Sequence, residues 1–98
     1  MSARTIANTA SQLLPQNALR RSFIVQNEDA AISVFIKKER PSGLTVSTTD
    51  HDHRVGPGGS LALNNETDGQ EAIQDRWTII AASGTPLISI FETENIKR

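Results

Sequence analysis

Leu13-Leu14-Pro15-Gln16-Asn17-Ala18-Leu19-Arg20-Arg21-Ser22-Phe23-Ile24-Val25-Gln26-Asn27-Glu28-Asp29-Ala30-Ala31-Ile32-Ser33-Val34-Phe35-Ile36 is the stretch that decides the fold. Its second part reads as two strands, Ser22 to Gln26 and Ala31 to Lys37, because β-branched and aromatic residues fill both runs. Asn27-Glu28-Asp29-Ala30 is the polar break between them, and the two strands are expected to pair as a hairpin. Side chains alternate along a strand, so Phe23 and Val25 share one face, as do Ile32, Val34 and Ile36. The opposite face carries Ile24 and Phe35 among Ser22, Gln26, Ser33 and Lys37. Both surfaces of this hairpin are therefore expected to meet protein.

Upstream, Pro15 disfavours helix at Leu14 and ends any strand there, making 14–17 a corner. Residues 1–12 are rich in Ser, Thr, Asn and Ala. Ile6, Ala10, Leu13 and Leu14 would line a helical face, but the weak helix formers between them favour an extended arm. Downstream, Pro41-Ser42-Gly43 reads as a turn and Leu44 to Thr48 as a third strand. Gly56-Pro57-Gly58-Gly59 is a turn that needs positive φ before a strand from Ser60 to Asn64. Asp68-Gly69 is a tight-turn pair. Arg76 to Ala82 and Leu87 to Glu92, joined by Ser83-Gly84-Thr85-Pro86, read as a second hairpin. Short strands at regular spacing with Gly, Pro and Asn between them indicate an all-β chain. The expected architecture is a small antiparallel β-sandwich or jelly-roll-like barrel, with residues 1–12 as an extended N-terminal arm and 13–98 as a single β-sandwich domain.

A chain of 98 residues buries only about 60% of the surface its unfolded form exposes. With one Trp, three Phe, no Tyr and no Cys, neither disulfides nor thiolate metal sites supplement so thin a core, and self-association is the expected remedy. The net charge of -1 offers no global field for phosphate backbones, and the basic pairs Arg20-Arg21, Lys37-Lys38 and Lys97-Arg98 have no aromatic residues interleaved, so no nucleic-acid partner is expected. No apolar run approaches the length of a membrane span, and no hydrophobic signal region follows Met1-Ser2-Ala3-Arg4-Thr5, so the expectation is no membrane partner and synthesis in a cytoplasm. Asn65-Glu66-Thr67 matches a glycosylation acceptor, which carries no weight without a secretory signal.

Chemistry is sparse. His51 and His53 would share a face if extended, beside Asp50 and Asp52, but a mononuclear metal wants three or four ligands from a rigid frame and the chain has no further His or Cys. The glycines at 56–59 lack the Gly-Lys-Ser/Thr ending of a phosphate loop. No serine sits in a nucleophile elbow, and the carboxylates, Glu92 and Glu94 included, form no constellation with assignable roles. No enzyme, catalytic residue, metal or cofactor is expected. Arg20 and Arg21 enter the first strand, where a guanidinium can cap carbonyls, reach a carboxylate across an interface or remain an exposed edge charge. Trp77 reads as a core anchor.

The run Leu13-Leu14-Pro15-Gln16-Asn17, then Arg20-Arg21-Ser22-Phe23-Ile24-Val25-Gln26-Asn27, an acidic turn, Ile32-Ser33-Val34, Gly-Pro-Gly-Gly and a closing strand ending Phe91-Glu92 resembles small β-rich virion structural proteins of tailed bacteriophages. The resemblance spans residues 11–92 and rests on structural punctuation. Gln16-Asn17-Ala18-Leu19 lacks the second proline often seen there, and the His/Asp loop is unusual. It implies a capsid decoration or cement protein, made in the host cytoplasm and sited on the capsid surface of the virion. Its partners would be the major capsid protein and its own copies as a homotrimer. Under that expectation Thr5, Ile6 and Leu13 make arm contacts, Ile24 and Phe35 make the subunit contact, and Arg20 serves the interface. The alternative is a receptor- or carbohydrate-binding base module of a head fibre or tail component, with an exposed Trp77 and the His51 to His53 loop as its surface.

Overall fold

Alternation of buried and exposed side chains marks the strands of the computed structural model, which describes residues 2–17, 20–39, 43–64 and 73–94. The expected turns at Pro41-Ser42 and Asp68-Gly69, the Asn65-Glu66-Thr67 match and the Lys97-Arg98 pair lie outside the described residues. Eight strands follow in order: β1 (Ser2–Thr5), β2 (Ser11–Leu14), β3 (Arg20–Asn27), β4 (Val34–Glu39), β5 (His53–Val55), β6 (Ser60–Asn64), β7 (Arg76–Ala81) and β8 (Leu87–Glu94). They form two four-stranded antiparallel sheets, ordered β1-β8-β3-β6 and β2-β7-β4-β5. The all-β expectation holds.

The order has a simple origin. The pairs β1·β8, β2·β7, β3·β6 and β4·β5 set the first half of the chain against the second half in reverse. Wrapping that ribbon adds β3·β8 and β4·β7, which gives the eight-stranded jelly roll. Consecutive strands therefore change sheet at every connection except β4 to β5.

Both expected hairpins are corrected by this order. β3 and β4 lie in opposite sheets, as do β7 and β8. The polar breaks are crossings over the end of the sandwich. At the first, the Asn27 amide group donates to the carbonyls of Ile32 (2.7 Å), Val55 (3.1 Å) and Gly56 (3.2 Å), while its carbonyl accepts the Asp29 amide. Asp29 in turn accepts from the amides of Ala31 and Ile32. At the second crossing Gly84 takes φ 61°, where a β-carbon would come within 3.0 Å of Ile32. Leu44 to Thr48 is not a strand either.

The N-terminal residues are extended but belong to both sheets of their own chain: β1 lies along β8 and β2 along β7. Arg4 donates to the Gln12 carbonyl at 2.8 Å, joining the two edges. Ile6 and Leu13 are buried in the core between the sheets. Phe23, Val25, Ile88 and Ile90 meet Val34, Ile36, Ile79 and Ala81 there, each fully buried large side chain contributing about 1.5–3 kcal/mol. Phe23 and Trp77 face each other across the layers, ring centroids 5.3 Å apart and tilted by 60°.

Candidate functional site

The two outer faces of the sandwich differ, and the difference begins with residue type. On β4 the outward positions are Phe35, Lys37 and Glu39, and the segment 43–50 lies against them. Glu39 is the anchor. Its carboxylate accepts the Thr45 amide at 2.7 Å, the Thr45 hydroxyl, and the Thr78 hydroxyl at 2.6 Å. Lys37 donates to Thr45 and to Asp50, each at 2.8 Å. Arg76 donates to Gln12 at 2.8 Å and to the Gly43 carbonyl. His51 covers Phe35, their ring centroids 4.5 Å apart. These side-chain bonds take the place of a β-ladder, which is why the apolar-polar alternation of Leu44 to Thr48 makes no strand.

Burial alone would push the Glu39 carboxyl upward, but the hydroxyls of Thr45 and Thr78, the Thr45 amide and the Lys37 ammonium outweigh it and hold the group below its ordinary value of 4.5. A carboxyl depressed on folding stabilises fully above its unfolded pKa, and that contribution is lost as pH falls through the lower folded value. Protection of the Thr45 amide against hydrogen exchange, relative to its intrinsic rate at each pH, should therefore fall below about pH 4. Glu39→Gln should lower that protection at pH 7 and leave it flat with pH. Equal protection of the wild-type amide at pH 7 and pH 3 would contradict the anchor.

The other outer face is built from uncharged residues. Registered pairing puts Leu87, Ser89, Phe91 and Thr93 of β8 on the same side as Ser22, Ile24 and Gln26 of β3. Ala3 and Thr5 of β1 and Ser60, Ala62 and Asn64 of β6 complete it. None carries a charge, although 21% of the chain is Asp, Glu, Lys or Arg. Ile24 and Phe91 are neighbours across the ladder, each 41% exposed, with Leu87 at 43%. Ile24, Gln26, Ser89 and Phe91 border a shallow depression of ≈ 290 Å³. Solvated faces of antiparallel sheets ordinarily mix charged with polar side chains, and this face has polar and apolar residues without the charges.

The residues expected at an interface separate by burial. Thr5 and Ile24 lie on the uncharged outer face. Ile6 and Leu13 are consumed by the core and Phe35 is covered by its own loop, so none of the three presents a contact surface. Arg20 is 0% exposed: it donates to Glu92 at 2.7 Å, to the carbonyls of Ile73 and Asp75 at 2.9 Å each, and to the Pro15 carbonyl at 2.6 Å. Of the three roles open to its guanidinium, it caps carbonyls within the chain. Leu87 and Phe91 were not expected on this face. The signal for them was the uncharged alternation Leu87, Ser89, Phe91, Thr93, whose side only the register decides.

The remaining candidates do not converge. Trp77 is 3% exposed and offers no platform to a sugar. His51 lies on the outer side with Phe35, whereas His53 faces inward with its ring centroid 6.0 Å from that of Trp77. The chain bends at Asp52 before β5 begins, so the i, i+2 spacing separates the imidazoles. Among the described residues no three His, Cys, Asp or Glu side chains group as metal ligands. A cleft of ≈ 500 Å³ opens beside Arg4, Leu14 and Glu92, but Arg4 is engaged by Gln12 and Glu92 by Arg20. No described helix is long and apolar enough to cross a membrane. No family model matches the chain, nor does any curated protein or solved structure.

Proposed function

We propose that the protein is a non-enzymatic structural component of a bacteriophage virion, a decoration protein that binds the outer capsid surface and stabilises contacts between major capsid proteins. The observation that carries this reading is the uncharged outer face of the β1-β8-β3-β6 sheet, with Ile24, Leu87 and Phe91 set in it. A jelly roll hosts many functions and argues for none by itself. The support lies in the asymmetry of this one: one face is partly covered by the chain's own 43–50 segment, and the other is uncharged and carries exposed Ile24, Leu87 and Phe91. Repeated over a symmetric shell, modest contacts of this kind sum to substantial stabilisation.

Purified protein added to undecorated heads of the encoding phage should co-sediment with them and raise their temperature of disruption. Ile24→Glu, at an exposed position, should remove most of that gain while leaving the fold intact. Heads that neither bind the wild-type protein nor resist heat better in its presence would sink the proposal.

A further inference from the structure

The segment that covers the β2-β7-β4-β5 sheet is fastened in its middle by one kind of chemistry and at its ends by another. The ends use groups that do not titrate in acid: Arg76 donates to the Gly43 carbonyl, and the Asp52 amide donates to the Ile36 carbonyl at 2.9 Å. The middle depends on carboxylates. Glu39 of β4 accepts the Thr45 amide and hydroxyl, Asp50 accepts from Lys37 at 2.8 Å, and the Asp52 side chain accepts the Lys38 amide at 2.9 Å. Apolar packing adds little, because Val46 is the only buried residue of 43–50. Phe35 and Val46 are buried apart from the core between the sheets, and Ile80 lies beside Phe35 on the same side of the ladder.

Protonation weakens all of these central fastenings together, since a hydrogen bond to a carboxylate is roughly twice as strong as one to a neutral acceptor. The cations remain. Lys37 of β4, Arg76 of β7 opposite Glu39, and Arg54 of β5 opposite Phe35 stand on this face, Lys38 reaches Asp75 instead, and His51 of the segment is cationic in acid as well. Once Glu39, Asp50 and Asp52 are neutral, segment and sheet carry charge of one sign, and Lys37 is left with the Thr45 hydroxyl. We infer that residues 44–51 form an acid-released strap, tethered at Gly43 and Asp52, which lifts to expose Phe35, Val46 and Ile80 while the sandwich beneath it stays folded. Glu39 sets the sense of the change: its depressed carboxyl holds the strap above the ordinary carboxyl range and releases it as pH falls through the lower folded value. The sandwich outlasts the strap because its ladders are backbone bonds and because Arg20 keeps its three carbonyls when Glu92 is protonated.

Acidifying the full chain to about pH 2.5, below the ordinary carboxyl range, should raise binding of an apolar fluorescent dye several-fold while the near-ultraviolet circular dichroism of the buried Trp77 persists. Return to pH 7 should release the dye. A second measurement needs no acid. The chain has no cysteine, so Val46→Cys places a single thiol under the strap, and at pH 7 it should react slowly with a thiol reagent. Adding Glu39→Gln, Asp50→Asn and Asp52→Asn to that variant should speed the labelling at least about 10-fold, with the Trp77 signal unchanged. Dye binding that rises only as the Trp77 signal disappears would mean that the whole fold opens at once, and overturns the inference. So does an intact Trp77 signal at pH 2.5 with no gain of dye, or a thiol as well shielded after the three carboxylates are replaced as before.

Discussion

Arg20→Ala is expected to cost about 3–5 kcal/mol, a large share of the stability of so small a domain. Its guanidinium is fully buried and joins elements remote in sequence: Pro15 before β3, Ile73 and Asp75 before β7, and Glu92 on β8. Truncation leaves those carbonyls without donors at roughly 1–3 kcal/mol for each that stays dry. It also frees a carboxylate that is one-third exposed, which water can rescue, so the loss comes mainly from the carbonyls. Arg20→Lys separates charge from geometry. An ammonium keeps the pair with Glu92 but cannot span three carbonyls that a planar fork holds at once, so it should recover less than half of the loss. Urea denaturation followed by the fluorescence of the single Trp reads both variants. Full recovery by lysine would show that charge, not the fork, holds this corner.

Strands were legible in the sequence and their partners were not. Alternation located β3, β4, β6, β7 and β8 to within a few residues, because each needs one greasy side and the pattern is local. Pairing is decided elsewhere. A polar break such as Asn27 to Ala30 announces that a strand ends, and the same residues suit a tight hairpin or a crossing to the other sheet. The jelly roll pairs the first strand with the last, a relation that no window of sequence contains. The same limit hid the contact surface. Ile24 could be read as an apolar residue on a polar side, but Phe91 joins it only through the register of β8 on β3. Arg20 was legible only in part: capping carbonyls was one of three roles open to a guanidinium entering a strand, and the corner at Pro15 was readable, but that the carbonyls of Ile73 and Asp75 meet it there is decided by the fold.

Asn27→Asp is expected to be nearly as damaging as loss of Arg20, and its pH dependence identifies the cause. The substitution changes almost nothing in shape. It replaces an NH₂ group that donates to three carbonyls, two of them at the end of β5 in the opposite sheet, with an oxygen that has lone pairs to offer and no proton when ionised. A carboxylate fully buried among carbonyls is strongly disfavoured, so the Asp pKa must rise on folding. Stability relative to the wild type should then be best below the unfolded pKa, about 3.9, where the neutral acid can still donate one hydrogen bond. It should fall as pH rises toward the raised folded value, beyond which the deficit levels off at about 3 kcal/mol or more. Asn27→Ala loses the same donors without gaining a charge, so its deficit should be smaller at pH 7 and flat with pH. Parallel urea titrations at pH 4 and pH 7 distinguish the two. An Asp variant no less stable at pH 7 than the Ala variant would mean that water reaches the crossing, and that Asn27 does not join the sheets.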